Sequence, residues 1–470
     1  MRKMSRGAYE DTKGFLRLAE TLLEVAVMTI FYYWIWRRSY EQFGYEYNGK
    51  YVLMGVYAVL LYVLFLNSEC TLFGQLRRPD LIIGQAIALF LTNFITYWQL
   101  CLMGNGVLSP TPILKLYAVE VVAAILMVMG FTALYHRLYA PQDMLMIFGK
   151  DSSVDLKVKM DGRKDKYRIS KLLRAEAGLD AICREIEKHE AVILNDVPVP
   201  LRDDILKFCY DNRVRAYVVP ELTDILIRGA KTVSLFDTPM VVIKGTGLSP
   251  VERIVKRTMD IVLCSLAMVV AAPIMLLVAA AIKLEDGGPV FYKQKRLTRN
   301  GREFEILKFR SMIVYAEKAA GAVKATDRDP RITKVGRFIR AVRLDELPQL
   351  LNILKGDMSI VGPRPERKVL ADEIAREVPE FPYRLKVRGG LTGYAQIYGK
   401  YNTSDADKLR LDLMYIENYS LLLDIKLIIM TVRILFSKDS TEGTDKAEEN
   451  ARKARRLLEE LDREEKTPLA

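Results

Sequence analysis

The chain has 470 residues, half of them hydrophobic, with 70 Lys and Arg against 58 Asp and Glu, a formal net charge of +12. That length allows two or three domains. Basic charge alone would suit a soluble nucleic-acid binder, but the long apolar runs exclude nucleic acid as the partner and point to a membrane protein with a basic cytoplasmic part.

Apolar stretches at about 18–36, 51–67, 81–103 and 113–135 approach the roughly 20 residues needed to cross a bilayer, and predict four transmembrane helices within 1–141. Arg2, Lys3, Arg6, Lys13 and Arg17 place the N-terminus inside. No small-residue cleavage site follows the first stretch, so it reads as an anchor. Tyr32, Tyr33, Trp34, Trp36 and Tyr40 read as an interfacial aromatic belt. Glu24 and Glu120 are the conspicuous intramembrane carboxylates. They carry a transport reading, set against anchoring helices whose end carboxylates reach the headgroups.

Residues 142–250 alternate short apolar runs (144–148, 191–194, 215–219, 240–243) with amphipathic stretches at 179–188 and 201–212. That alternation predicts a parallel sheet covered by helices. The turn after the first run, Phe148-Gly149-Lys150-Asp151-Ser152, has one glycine where a dinucleotide site wants GxGxxG, so the module is a degenerate Rossmann-like fold without NAD. A structural or dimerising role is favoured over nucleotide sensing.

The apolar run 261–282 is long enough to cross, but Pro273 interrupts it, and positive charge flanks it at Lys256 and Arg257 and again at Lys283, Lys293, Lys295 and Arg296. A helix that dips in, breaks at Pro273 and returns satisfies both constraints; an ordinary fifth span is the alternative.

The chemistry gathers beyond it. Strand-like 305–312 carries Lys308 and Arg310 on one side. Arg331, Lys334, Arg337, Arg340 and Arg343 recur at every third position and form a stripe if 336–342 is helical. The stripe leads to adjacent carboxylates, Asp345 and Glu346, at the mouth of an apolar helix that Gly356 stops. Cations leading to paired carboxylates at a helix N-terminus suit a phosphorylated substrate and a metal ion. The plainer readings are Asp345 as a helix N-cap and the stripe as a lipid-facing surface. Pro363 and Pro365 stiffen the loop that presents Arg364. Residues 387–396 read as a flexible glycine loop, and 409–436 as an amphipathic segment lying in the interface or packed in a core. The tail, 438–470, reads as a solvated helix or a disordered segment. Five scattered cysteines without a CxxC pair read as reduced thiols, and two histidines argue against a His-based metal site or triad.

KRTMD (256–260), the Pro-interrupted apolar helix, LKFRSM (307–312), LDELPQLLNILKGDMSIVGPRP (344–365) and GGLTGYAQ (389–396) together resemble the bacterial polyprenyl-phosphate hexose-1-phosphate transferases, the large monotopic phosphoglycosyl transferases. The likeness is specific over about 256–436 and weaker over the N-terminal regions. It implies a membrane protein of four parts: four transmembrane helices (1–141), a Rossmann-like α/β module (142–250), a mostly helical α+β monotopic catalytic domain with a Pro-broken re-entrant helix (251–437), and a charged tail (438–470). It implies transfer of hexose-1-phosphate from a UDP-hexose, glucose or galactose, to undecaprenyl phosphate, as the step that initiates exopolysaccharide, capsule or O-antigen synthesis. Asp345 would be the nucleophile and Glu346 would work with Mg²⁺. Lys308, Arg310, Arg340, Arg364, Arg388 and Lys400 would bind substrate, with Pro273, Pro363 and Pro365 structural. The partners implied are inner-membrane lipid and, as a candidate, a second copy of the chain, with the catalytic domain on the cytoplasmic face of the bacterial inner membrane. Ala272-Pro273, Gly389-Gly390, Tyr394 and Lys400 depart from the family pattern. A non-catalytic membrane regulator that senses nucleotide sugars is the rival reading.

Overall fold

The computed structural model describes residues 6–40, 48–243, 245–314, 329–399, 403–435 and 444–466. The chain divides into two compact units, Met1–Glu221 with Val432–Ala470, and Leu222–Thr431.

The first unit begins with four helices: α1 (Arg6–Ser39), α2 (Gly49–Asn67), α3 (Arg78–Met103) and α4 (Thr111–Leu138). Each packs on its neighbour in sequence, and α1 also packs on α4, closing the bundle. Its interior holds Met28, Tyr57, Leu61, Phe65, Leu89 and Leu116, with the Tyr32 and Tyr57 rings stacked 4.3 Å apart. Leu22, Trp34, Val52, Phe94 and Leu126 point outward, the pattern of helices whose solvent is lipid. Among the described residues, four helices are long and apolar enough to span: α2, α3, α4 and a later helix, Pro250–Asp286. The expected first span does form a helix, within the longer α1. The expected aromatic belt is partly wrong, since Tyr32, Trp36 and Tyr40 turn into the bundle while Trp34 faces out. Glu24 and Glu120 do not reach towards headgroups. Both are fully buried: Gln85 donates to Glu24 at 2.9 Å, and Asn93 at 2.6 Å and the Tyr57 hydroxyl donate to Glu120. Each carboxylate thereby joins one helix to others, as interhelical polar groups do in membranes.

After the bundle come β1 (Gln142–Phe148), α5 (Asp155–Asp161), β2 (Tyr167–Arg174), α6 (Leu179–Ile186), β3 (Ala191–Asn195), α7 (Val199–Asp211) and β4 (Arg215–Val218). The strands form one parallel sheet in the order β2-β1-β3-β4. Gly149 is needed for close packing: a Cβ there would lie 1.9 Å from the Asp196 carbonyl oxygen. The expected strand at 240–243 is not part of this sheet. The tail, expected to be solvated or disordered, forms a helix, Thr444–Lys466, that packs on the sheet's α5 side. Its Leu457, Leu458 and Leu461 join the cluster of Met144, Met146, Phe148 and Ile193, and Asp462 accepts from Arg174 at 2.7 Å.

The second unit starts earlier than the expected boundary at 250/251. Helix α8 (Leu222–Arg228) buries Ile225 among Leu409, Leu413 and Ile416, and Gly229 meets Glu417 so closely that a Cβ would collide. β5 (Lys231–Leu235) and β6 (Thr238–Val242) form a separate antiparallel hairpin. Then α9 (Pro250–Asp286) starts at a capping box in which Ser249 and Glu252 satisfy each other's backbone N–H groups, and ends at Gly287, which has φ 71°. The expected break at Pro273 is not seen: the helix continues through it. A proline removes one hydrogen bond, and the packing of the flanking turns supplies enough to carry the helix past it.

β7 (Phe291–Leu297) and β8 (Glu303–Phe309) pair antiparallel. Then come α10 (Lys334–Ala341), α11 (Gln349–Lys355) and β9 (Ser359–Val361). They are followed by α12 (Lys368–Glu377), β10 (Gly390–Thr392), α13 (Tyr394–Tyr398), α14 (Asp405–Glu417) and α15 (Leu421–Leu435). β9 and β10 pair parallel. Under α9, Cys264 and Ala271 pack with Phe304, Ile306 and Ile353, and Val278 and Ile282 pack with Phe309 and Ile339. Of the amphipathic segment 409–436, Leu409, Leu413, Tyr415, Ile416 and Leu427 are core residues.

Candidate active site

Asp345 and Glu346 sit in a single 3-10 turn, Leu344–Glu346, between α10 and α11. Arg343, at φ 55°, turns the chain sharply out of α10 into that turn. The expected basic stripe is therefore broken: α10 covers only Lys334–Ala341, Arg331 is held by Asp329 at 2.6 Å, and Arg343 lies in the left-handed bend. Asp345 does not cap α11 either. Pro348 stands at its N-cap without a side-chain bond, and the N–H groups of Leu350 and Leu351 are taken by the Leu347 and Pro348 carbonyls. The positive field at the dyad comes from side chains, not from a helix end.

Those side chains arrive from three places. Lys308 on β8 donates from Nζ to Glu346 Oε1 at 2.7 Å. Arg340 and Arg343 come from the end of α10 and the bend after it, and both act on the dyad electrostatically. Arg364 acts on Glu346 from the loop after β9. There Pro363 and Pro365 are buried and Arg364 between them is exposed, so the prolines do present it outward.

The two carboxylates are held differently. Burial pushes Glu346 up, but Lys308, Arg364 and Arg343 outweigh it and hold the group below its ordinary value. Burial, and then the neighbouring Glu346 charge, raise Asp345 above its ordinary value against the pull of Lys308 and Arg340. Among the described residues no other side chain donates to Asp345, whose carboxylate is bonded by its own backbone N–H. Glu346 is thus the carboxylate held by cations, and Asp345 the less engaged of the two.

The remaining expected site residues separate. Arg310 is not at the dyad: its guanidinium is buried, donates to the Asp286 carboxylate, and reaches the Pro289 carbonyl at 2.7 Å. It clamps the end of α9 to β8, and its charge is spent on Asp286. Arg388 lies in another basic group with Arg257, Arg299 and Arg302. Lys400 lies outside the described residues. The glycine loop is a packing device, not a flexible one. Gly390 opens β10, and a Cβ on Gly390 or Gly393 would come within 2.1 or 2.2 Å of the Gly362 backbone, while one on Gly389 would meet Pro365. These glycines press β10 against the loop that carries Arg364.

Residues of KRTMD, read only as a motif, turn out to be anchors. Lys256 Nζ pairs with Asp424 at 2.6 Å inside the unit, and Tyr415 donates to the same carboxylate at 2.8 Å. Arg257 donates to the Ile353 and Leu354 carbonyls at the end of α11. Asp260 accepts from the Ser359 hydroxyl at 3.1 Å and the Ile360 N–H at 3.0 Å. Lys256 and Asp260 stand four residues apart on one face of an otherwise apolar helix. That spacing was the signal in sequence for buried polar partners.

Residues 251–438 match the family model described as bacterial sugar transferase. Among similar proteins is the UDP-N-acetylgalactosamine-undecaprenyl-phosphate N-acetylgalactosaminephosphotransferase of Aeromonas hydrophila, 39% identical over 260 residues, 53% of this chain and 60% of that protein. The UDP-glucose:undecaprenyl-phosphate glucose-1-phosphate transferase of Escherichia coli is 37% identical over 227 residues, 47% of this chain and 49% of that protein. The matched stretch thus spans about half to three-fifths of these two relatives. It spans 92% of the exopolysaccharide production protein ExoY of Rhizobium meliloti, at 36% identity over 210 residues. With that coverage and the match of residues 251–438, the chain belongs to the bacterial sugar transferase family.

Proposed function

We propose that this protein transfers hexose-1-phosphate from a UDP-hexose to undecaprenyl phosphate and releases UMP, the initiating step of exopolysaccharide, capsule or O-antigen synthesis. The observation that carries this reading is the unequal dyad: Glu346 is tied to Lys308, and among the described residues no side chain donates to Asp345. The names of the relatives support the reaction class, and they differ in the sugar.

In the proposed step an Asp345 carboxylate oxygen attacks the β-phosphorus of the UDP-sugar. A bond forms from that oxygen to phosphorus, and the bond from phosphorus to the bridging oxygen breaks, so UMP leaves with both electrons. The sugar phosphate stays on Asp345 as an acyl phosphate, a recognised form of covalent catalysis by carboxylates. An oxygen of the lipid phosphate then attacks the same phosphorus and frees the carboxylate. Lys308, Arg340 and Arg364 lower the repulsion between the anionic nucleophile and the diphosphate.

Among the described residues no group of three or more His, Cys, Asp or Glu makes a metal cage. Mg²⁺ characteristically uses one or two carboxylates together with substrate phosphates, and the two adjacent carboxylates fit that pattern. Glu346 would hold Mg²⁺, which when bound supplies further charge neutralisation at the diphosphate.

Contacts along α9 support a helix that enters one leaflet and does not cross. Near its start Lys256 and Asp260 are bonded to Asp424 and to β9. Near its end Glu285 accepts from the Lys334 N–H at 2.8 Å, and Asp286 holds Arg310. One unit grips both ends, while Leu266, Val269, Val270, Leu276 and Leu277 between them face out. Single cysteines at Arg253 and Leu284 should therefore both react with an impermeant thiol reagent from the cytoplasmic side only. Labelling of the two from opposite sides would make α9 a span.

The direct test offers purified protein, Mg²⁺ and undecaprenyl phosphate a panel of UDP-sugars and identifies the nucleotide released. UMP from one sugar is expected. UDP would mean ordinary glycosyl transfer, and no release by folded protein would favour the nucleotide-sugar-sensing regulator. Lys308→Ala should lower turnover by about 10²-fold and move the acid limb of the pH profile to higher pH. Lys308 lowers the pKa of both carboxylates, so without it Asp345 becomes protonated, and inactive, at higher pH. An unshifted limb would count against Asp345 as the titrating group.

A further inference from the structure

The second unit contains a cavity of about 290 Å³ whose wall carries Arg253, Lys256, Arg257, Arg299, Lys386 and Arg388. Opposing charge is scarce there. One carboxylate, Asp260, lines the cavity with these cations, and Lys256 is committed to Asp424. Arg257 donates to two carbonyls, which carry no net charge to balance it. Among the described residues, Arg253, Arg299 and Arg388 have no carboxylate partner. Burial, and then the nearby Arg257 and Arg299, depress Arg388 below the ordinary guanidinium range against the pull of Asp260, the response of crowded cations that outnumber their anion.

The cavity lies apart from the dyad. Arg257 caps the C-terminal end of α11, at Ile353 and Leu354, whereas Asp345 and Glu346 precede that helix's N-terminal end. The helix's 7 residues rise about 10 Å. A phosphate held in the cavity is therefore out of bonding range of Asp345. The cavity is instead continuous with the apolar face of α9. Ile254 lines it and is also 68% exposed, next to the exposed Val251, Val255, Ile261 and Val262. A ligand that satisfies both features carries phosphate at one end and hydrocarbon at the other.

We propose that this cavity binds the headgroup phosphate of an anionic membrane phospholipid, as a lipid site separate from the dyad, with Arg253, Arg299 and Arg388 as its phosphate ligands. The acyl chains lie along the first turns of α9. Arginine suits the task because its planar donors match phosphate oxygens in pairs. The site makes the level at which α9 meets the bilayer depend on anionic lipid, and it does not depend on which reaction the dyad performs.

The test is native mass spectrometry of the full chain in detergent, titrated with short-chain phosphatidylglycerol, phosphatidylcholine, undecaprenyl phosphate or inorganic phosphate. One saturable phosphatidylglycerol adduct is expected, at least about tenfold tighter than phosphatidylcholine, which has the same phosphate but adds a choline cation that the arginines repel. Arg253→Ala with Arg299→Ala should weaken it by about tenfold or more, and Arg253→Lys with Arg299→Lys should restore most of it. The lipid-free melting temperature of the alanine variant serves as the control for folding. Equal retention by the alanine variant would overturn the proposal. So would displacement of the lipid by inorganic phosphate, which would make the cavity a free-anion site, or preference for undecaprenyl phosphate, which would make it an acceptor site. UMP release is measured on the same samples, so a protein that binds lipid but does not turn over separates failure of the reaction from failure of the site.

Discussion

Asp345→Asn is expected to reduce UMP release by at least about 10³-fold, because an amide of the same size has no anionic oxygen to attack phosphorus. The variant should fold normally. Among the described residues no ion pair involves Asp345, and it caps neither neighbouring helix, so the melting temperature should stay within a degree or two. The sharper readout is covalent. Wild-type protein given UDP-sugar labelled in its β-phosphate, without lipid acceptor, should carry acid-stable but hydroxylamine-sensitive label, and Asp345→Asn should carry none. Turnover by the Asn variant within tenfold of the wild type would remove Asp345 as nucleophile. Label retained in that variant would move the covalent step to another residue.

Lys256→Ala should damage the fold instead of the chemistry. It strands Asp424, which is fully buried and paired to Lys256 at 2.6 Å. Removing one partner of such a pair costs about 3–5 kcal/mol, whereas replacing both with apolar groups is often neutral. The double variant Lys256→Met with Asp424→Leu should therefore melt closer to the wild type than Lys256→Ala does. The effect should also depend on pH. Burial already raises Asp424 above the ordinary carboxylate value, with Lys256 pulling it down, so the alanine variant raises it further. A carboxyl whose folded pKa exceeds its unfolded one favours the folded state as pH falls. The loss of melting temperature should be largest at neutral pH and shrink towards acid pH. A loss that does not change with pH would mean that Asp424 is not the stranded group.

What could be read from sequence and what could not divide along physical lines. Hydrophobic length and turn chemistry are local, so the helices at 49–67, 78–103 and 111–138, the strand–helix alternation after 142 and the Pro-flanked Arg364 were legible. Asp345 and Glu346 stood out because a run of cations leads to them and because LDELPQ and GPRP carry the family resemblance, where spacing alone left a helix N-cap equally open. Partner choice is not local. Arg310 looked like Lys308 two residues away, yet one guanidinium closes on Asp286 and the ammonium reaches Glu346. The basic stripe breaks at both ends because the helix covers only Lys334–Ala341, with Arg331 ahead of it and Arg343 beyond it, where the backbone reverses. The glycines at 389, 390 and 393 were read as freedom when the reason for them is crowding, which only the facing Gly362 reveals. The tail looked polar because just three leucines carry its apolar side, and what they cover is far away in sequence.

That last feature bears on how the protein is made. Arg174 and its partner Asp462 are 288 residues apart. At roughly 5–20 residues per second, the ribosome needs tens of seconds to deliver the helix that closes over Met144, Met146 and Phe148. Throughout that interval the whole of the second unit emerges while part of one face of the sheet, beside α5, stays apolar and uncovered. A cell producing this protein thus has a timed window in which the nascent chain invites holdases, and a stop codon before Leu457 would make that window permanent while leaving every residue of the dyad intact.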